Sequence, residues 1–185
     1  YETGDWIEIF NSGAESISLG GWMLTHPQGS FTLPLGTQLS SGGYLLLCED
    51  TMRFRQWHAV QVKLLGHPIL QLSNNAATVS LYDSGHALIH SVSYEDDWPW
   101  PPLADGKGAT IELEHGRDGS SVNDWRESYV LMGSPGWENS RPPVREGLHI
   151  NELLADNGIV LADEYGEYDD WFEVYNSTGR PLDIG

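Results

Sequence analysis

The chain of 185 residues carries 27 Asp and Glu against 9 Lys and Arg, a formal charge of −18. Its length fits one domain of ordinary size, or one domain with part of another. The acidic balance argues against nucleic acid and anionic membranes as partners, because binding to either draws on Lys and Arg, and no apolar run is long enough to predict membrane insertion.

Alternating apolar residues predict short strands in the first third of the chain. In WIEIF (6–10), Ile7 and Ile9 share one face and Glu8 lies on the other. Further strands are predicted in GGWMLTH, in SFTLPLG and in GYLLLC, where Cys48 is interpreted as a small buried hydrophobe. TMRFRQWHA (51–59) is predicted to form one or two helical turns.

The middle of the chain continues this pattern. PILQLSNNAATVSLYDSGHALIHSVSY (68–94) predicts three strands separated by an Asn-rich turn and an Asp-Ser-Gly turn. ATIELEH predicts another strand, and SSVNDWRES predicts a capped turn or short helix that begins near Ser121. Strands at this spacing indicate an antiparallel β-sandwich.

One strand-and-turn sequence occurs twice. DWIEIFNSGAESISLG (5–20) and DWFEVYNSTGRPLDIG (170–185) are identical at six of sixteen positions, with an offset of 165 residues. Between the copies, the Pro- and Gly-rich segment 133–147 is interpreted as a linker. The repeat therefore predicts tandem domains.

The ordered motifs resemble the lamin tail domain. They are DWIEIFNSG, GGWMLT, FTLPLGTQLSSGGYLLL, NNAATVSLYDSG, ADGKGATIEL, NDWRES and GSPGWEN, of which the last three resemble the prokaryotic, secreted branch of that family. The resemblance implies an all-β, immunoglobulin-like antiparallel β-sandwich in an extracellular or cell-surface multidomain protein. In that family a strand like INEL precedes the DWIEI strand, whereas here INEL (150–153) precedes only the second copy.

These observations predict the domain organisation. A lamin-tail-like sandwich without its first strand is expected over 1–134, a linker over 135–147, and the first strands of a second repeat over 148–185. A sandwich without its first strand exposes a sheet edge that templates pairing. HINELLA (149–155) is expected to fill that edge, within one chain or by strand exchange in a homodimer; alternatively it pairs with its own WFEVYNS (171–177).

An acidic loop is the candidate metal site. Six carboxylates lie within eleven residues, at Asp163, Glu164, Glu167, Asp169, Asp170 and Glu173. Calcium binds such flexible oxygen ligands. The ligands predicted for it are Asp163, Glu167, Asp169, Asp170 and Glu173. The EF-hand pattern is absent, and the alternative interpretation is a solvated acidic turn, which is the commoner role of such a loop.

An aromatic loop is the candidate ligand platform. EDDWPWPPLADG (95–106) holds Trp98 and Trp100 among three prolines. If exposed, the two indoles would form a platform for a glycan or a proline-rich peptide. If buried, they would plug one end of the sandwich, which the usual burial of Trp favours. Packing roles are predicted for Trp6, Trp22, Trp125, Trp137 and Trp171.

No enzymatic activity is predicted, because the sequence shows no nucleophile elbow, phosphate loop or Cys–His nucleophile. The predicted function is a non-catalytic interaction or spacer module that binds protein or glycan. The alternatives are a calcium-stiffened structural repeat and, less favoured, an accessory domain of a secreted hydrolase or kinase-like enzyme.

Overall fold

The computed structural model describes residues 4–67, 69–142, 147–160 and 162–184. The chain divides into two compact units, Tyr1–Arg141 and Pro142–Gly185, so the first unit extends past the predicted boundary at residue 134. Part of the predicted linker (143–146), the start of the predicted first domain (1–3), residue 161 of the acidic loop and the last residue of the repeat lie outside the described residues.

Short strands make up most of the regular structure. In chain order they are β1 (Trp6–Phe10), β2 (Ile17–Ser18), β3 (Met23–His26), β4 (Gly29–Thr32), β5 (Gln38–Leu39), β6 (Tyr44–Cys48), β7 (Lys63–Gly66), β8 (Ala76–Tyr82), β9 (Leu88–Glu95), β10 (Ile111–Leu113), β11 (Trp125–Glu127), β12 (Leu148–Leu154) and β13 (Trp171–Asn176). Helix α1 (Thr51–Trp57) follows β6, and a 3-10 turn covers Val122–Asp124.

Two sheets form the sandwich of the first unit. One has the strand order β1-β6-β7 and the other the order β4-β3-β8-β9. Buried residues from both sheets, including Leu24, Leu47 and Leu81, form one cluster between them. This arrangement confirms the predicted all-β, immunoglobulin-like sandwich.

Strand β6 is buried on both faces. Leu45 and Leu47 contribute to the two clusters of the sandwich interior, while Leu46 and Cys48 join Phe54 of α1 in a third cluster. The four β6 side chains are at most 2% exposed. Full burial of a leucine contributes about 2 kcal/mol to the free energy of folding, so β6 anchors the unit.

Helix α1 forms where one or two helical turns were predicted. Oδ1 of Asp50 caps it by accepting hydrogen bonds from the backbone N–H groups of Met52 (2.8 Å) and Arg53 (3.1 Å). The helix belongs to the crossover that lets β7 run parallel to β6. The other strand pairs of the described ranges are antiparallel. Among the described residues, no helix is long and apolar enough to cross a bilayer.

One predicted strand is wrong. The sequence predicted a strand in PILQLS (68–73), but residues 69–73 have irregular backbone, and the strand of this region is β7, five residues earlier at its start. Leu70 nevertheless lies fully buried between the sheets. Leu70 therefore contributes to the core without strand pairing, whereas its neighbour Ile69 is 56% exposed.

The second unit is an antiparallel hairpin of β12 and β13. HINELLA thus pairs with its own WFEVYNS, the second of the two arrangements considered from the sequence. A β-bulge interrupts the pairing between Ile150 and Glu152. Large apolar side chains of both strands are exposed, with Ile150 at 70% and Phe172 at 67%.

Candidate functional site

The aromatic loop after β9 is held by the burial of Trp100. This side chain is 8% exposed, and its ring centroid lies 6.4 Å from that of Trp125 on β11. Nε1 of Trp125 in turn donates to the backbone oxygen of Gly119 at 3.1 Å. Trp100 therefore packs the loop against β11, in the buried position that the sequence analysis considered for both indoles.

Trp98 has the opposite environment. It lies in a turn closed by a hydrogen bond from the N–H of Trp100 to the oxygen of Asp97 (3.0 Å), and its side chain is 91% exposed. The N–H of Leu103 also donates to Oε2 of Glu127 at 3.3 Å, so both halves of the loop are tied down. The predicted two-tryptophan platform is therefore divided, with one indole anchoring the loop and the other projecting into solvent.

Two further tryptophans, Trp6 and Trp22, pack as predicted. Trp6 contacts Phe54 edge to face, with 5.7 Å between ring centroids, and Trp22 packs against both interior clusters of the sandwich. The packing prediction for Trp137 is wrong, because that side chain is 67% exposed beside a Ser134–Trp137 backbone turn.

The acidic loop brings together three of its five predicted ligands. One carboxylate oxygen from each of Asp163, Glu167 and Asp169 lies within 4.8 Å of the others. Oδ1 of Asp163 also accepts hydrogen bonds from the N–H groups of Tyr165 (2.8 Å) and Glu167 (2.9 Å), which close a tight turn through Gly166 at φ +81°. All three side chains are exposed, so one face of the cluster is open to solvent.

The other two predicted ligands are engaged elsewhere. Oδ1 of Asp170 accepts a hydrogen bond from the N–H of Asn157 at 3.0 Å. Oε1 of Glu173 accepts one from the side-chain amide of Asn151 across the β12–β13 hairpin. The three clustered carboxylates could supply part of the six to eight oxygens that calcium takes, with carbonyls and water supplying the rest.

Two carboxylates outside the predicted sites bond to the Pro- and Gly-rich segment. Glu112 on β10 is 5% exposed and accepts hydrogen bonds from Oγ of Ser134 (2.8 Å) and from N–H and Oγ of Ser140 (2.9 and 2.7 Å). Arg126 on the neighbouring strand lies 3.7 Å from it. This network attaches the Pro- and Gly-rich segment to the sandwich, so residues 134–140 are not a free linker.

Glu8 on β1 makes a second attachment to the same segment. Its Oε2 accepts a hydrogen bond from the N–H of Gly136 at 2.5 Å. Burial raises the pKa of Glu8 to about 7, and the nearby charge of Glu112 adds to the rise, while the Gly136 hydrogen bond opposes it. In the sequence Glu8 shares a strand face with Trp6 and Phe10, but nothing local indicates its bond to Gly136, 128 residues later.

A buried histidine pair connects the two sheets. Nε2 of His26, at the end of β3, lies 3.0 Å from Nε2 of His67, just after β7. Both side chains are less than 8% exposed. Burial, followed by the proximity of His26, lowers the pKa of His67. The hydrogen bond needs one of the two facing nitrogens to donate and the other to accept.

Comparison with protein families identifies the first half of the chain. A family model described as Lamin Tail Domain matches residues 1–96, which covers β1 to β9. No curated protein matches the chain. The matched region includes the whole β1-β6-β7 sheet and the four-stranded sheet that packs against it.

Glu8 predicts a pH dependence of stability. The pKa of Glu8 is higher in the folded state than in the unfolded state, so the folded state binds this proton more tightly. The free energy of unfolding therefore falls as pH rises from about 4.5 through 7. Glu8→Gln keeps the acceptor oxygen and removes the titration. Relative to the variant, the natural protein should lose roughly 2 to 3 kcal/mol between pH 5 and pH 8, measured by urea unfolding. Glu167→Gln is the exposed control, and parallel curves for natural protein and Glu8→Gln would contradict the prediction.

Proposed function

The chain belongs to the lamin tail domain family, and on that premise we propose that it serves as a non-catalytic interaction module. Its setting would be an extracellular or cell-surface multidomain protein of the prokaryotic, secreted type, with lamin-tail-like domains in tandem. The repeat of 5–20 at 170–185 supports the tandem arrangement. The charge of −18 favours neutral or cationic partners.

The observation that carries this proposal is the exposure of Trp98. An indole that is 91% exposed gains nothing from folding, and the loop that presents it is held by Trp100 and by the Leu103–Glu127 hydrogen bond. Exposed tryptophans on rigid supports are common energetic centres of protein interfaces. The flat apolar ring also suits the apolar face of a sugar or a proline side chain. The proposed ligand is therefore a protein segment or a glycan.

Substitutions at Trp98 and Trp100 should have different effects, the first on ligand affinity and the second on the stability of the fold. Trp98→Ala should leave the unfolding midpoint unchanged and weaken ligand binding by roughly tenfold or more. Trp100→Ala should instead cost about 3 kcal/mol of stability. A glycan and peptide array would identify the ligand, and calorimetric titration would then compare the variants. Leu35→Ala, at a side chain 89% exposed, is the matched surface control. Equal affinity of Trp98→Ala and the natural protein would reject the proposed role.

A calcium-stiffened repeat is the second candidate function. It is supported by the convergence of the Asp163, Glu167 and Asp169 carboxylates within 4.8 Å. Three carboxylates at this separation repel one another without a cation. A bound calcium ion would remove that repulsion and stiffen the connection between β12 and β13.

Calcium binding would be detected by titrating the chain with CaCl₂ in a calorimeter and by thermal melts in EDTA and in millimolar CaCl₂. The hypothesis predicts saturable heat and a rise of several degrees in the melt of the second unit, since an ion that binds only the folded form stabilises it. MgCl₂ should have little effect. Asp163→Asn should abolish binding, whereas Asp170→Asn should retain it, because Asp170 lies outside the cluster. Identical titrations of natural protein and Asp163→Asn would exclude this site.

A further inference from the structure

The His26–His67 pair joins the two sheets of the first unit. His26 ends β3, a central strand of the four-stranded sheet, and His67 follows β7, an edge strand of the other sheet. Their Nε2 atoms lie 3.0 Å apart, and the rings meet edge to face with 5.1 Å between centroids. Both side chains are buried, so this hydrogen bond forms away from solvent. A buried polar contact of this kind is costly to leave unmade.

The number of protons on the pair decides whether this hydrogen bond can form. Two neutral rings make it, because one facing nitrogen donates and the other accepts. When both rings are protonated, both facing nitrogens carry hydrogen and neither can accept, so two positive charges oppose each other. Nδ1 of His26 is also buried and has no hydrogen-bond partner among the described residues. A protonated His26 would therefore leave a buried N–H without an acceptor.

The surroundings of the pair do not favour a positive charge. Phe31 of β4 packs on His67 with 4.9 Å between ring centroids. Within the described ranges, no carboxylate lies within ion-pair distance of either histidine. Burial, and after it the charge of His26, lower the pKa of His67, so both oppose its protonation. The titratable and charged groups of the adjoining elements are Asp5 before β1, Cys48, Glu49 and Asp50 at the end of β6, Arg53 and Arg55 on α1, Lys63 on β7 and Tyr82 on β8.

Two of these carboxylates have hydrogen bonds of their own. Oδ1 of Asp50 caps α1 by accepting from the N–H of Met52 at 2.8 Å. Oδ2 of Asp5 accepts from the N–H of Leu72 at 2.7 Å. The Cys48 thiol belongs to the cluster under α1, on the face of β6 that points away from the sandwich interior. His26 is therefore the charge that acts most directly on His67.

His67 also holds the irregular segment that follows it. Its N–H donates to the backbone oxygen of Cys48, and its own oxygen accepts from the N–H of Leu70, both at 2.8 Å. Leu70 is fully buried in the cluster between the sheets, although residues 69–73 belong to no strand. Movement of His67 away from His26 would therefore loosen the position of Leu70 without breaking a strand ladder.

We propose that the His26–His67 pair is a pH-sensitive switch, which holds the segment from His67 to Leu72 on the sandwich at neutral pH and releases it in acid. This regulation goes beyond the binding role proposed above and does not depend on it. The pKa of His67 is lower in the folded state than in the opened state, so the opened state binds the proton more tightly. The free energy of opening therefore falls as pH decreases below about 6.5.

Hydrogen exchange at the amide of Leu70 tests the switch in the full chain. Global stability is not a suitable measure, because protonation of Glu8 stabilises the fold over the same pH range. A pKa lowered by one unit changes the opening equilibrium tenfold, so Leu70 should lose roughly tenfold or more of its protection between about pH 7.5 and pH 5, after correction for the intrinsic rate. The amides of β6 should lose none, because β6 stays paired with β1 and β7.

Glutamine variants remove the titration of the pair and keep its hydrogen bond. The double variant His26→Gln, His67→Gln has amide donors and acceptors at both positions and cannot titrate. Its Leu70 protection should be independent of pH. His58→Gln is the matched control, because His58 is also buried and burial lowers its pKa, but its ring stacks on Phe54 of α1. The control should retain the loss of Leu70 protection in acid, and a control that abolished this loss would assign it to α1 instead.

Two results of these exchange measurements would overturn the proposal. One is the same pH dependence of Leu70 protection in the natural chain and the double glutamine variant. The other is a parallel loss at Leu70 and at β6, which would mean global unfolding rather than local release.

The imidazole nitrogen shifts of the natural chain, followed by NMR, provide a test that needs no variant. His67 should titrate below its ordinary pKa of about 6.5, with the same midpoint as the amide shift of Leu70. A His67 that titrates at or above that value would overturn the proposal, even if the double variant did not fold.

Discussion

The burial of β6 on both faces is the constraint on which the first unit depends. Leu45 and Leu47 supply the interior of the sandwich, and Leu46 with Cys48 contact Phe54 under α1. A strand covered on both sides needs neighbours along both edges, which β1 and β7 provide. The parallel direction of β7 requires a crossover, and α1 fills it with the face that covers β6.

The positions of the other features of the first unit depend on β6 and its two neighbouring strands. β1 is fixed by its pairing with β6, and it places Glu8 where Gly136 can bond to it. Glu112 makes a second attachment from β10, so one half-buried and one buried carboxylate hold the 134–140 segment in place. Trp100 fixes the aromatic loop in the same manner and leaves Trp98 in solvent. Buried anchors thus position the exposed residue that carries the proposed interaction.

Local signals predicted much of this fold. Alternation identified β1 and β8, Asp50 and Ser121 cap helical turns near the predicted places, and the fold class follows from strand spacing. The parallel β7 was missed because its pairing with β6 depends on the crossover through α1, which leaves no turn signal at the strand itself. The burial of Trp100 beside the exposure of Trp98 depends on Trp125, and the attachment of 134–140 depends on Glu8 and Glu112. None of these contacts leaves a local pattern, and composition alone suggested a linker. Only three of the five predicted metal ligands come together, for the same reason. Asp170 accepts a hydrogen bond from Asn157, and Glu173 accepts one from Asn151, and neither contact could be read from the sequence.

The two units differ in one physical respect, which is the presence of a core. The first surrounds β6, while the described second unit is a hairpin with exposed apolar residues. Backbone hydrogen exchange on dilute protein tests this contrast most directly, because protection reports local opening free energy. The amides of β6 should exchange most slowly, through global unfolding, and those of β12 and β13 should exchange orders of magnitude faster. Equal protection of β12 and β6 at dilution would contradict the account.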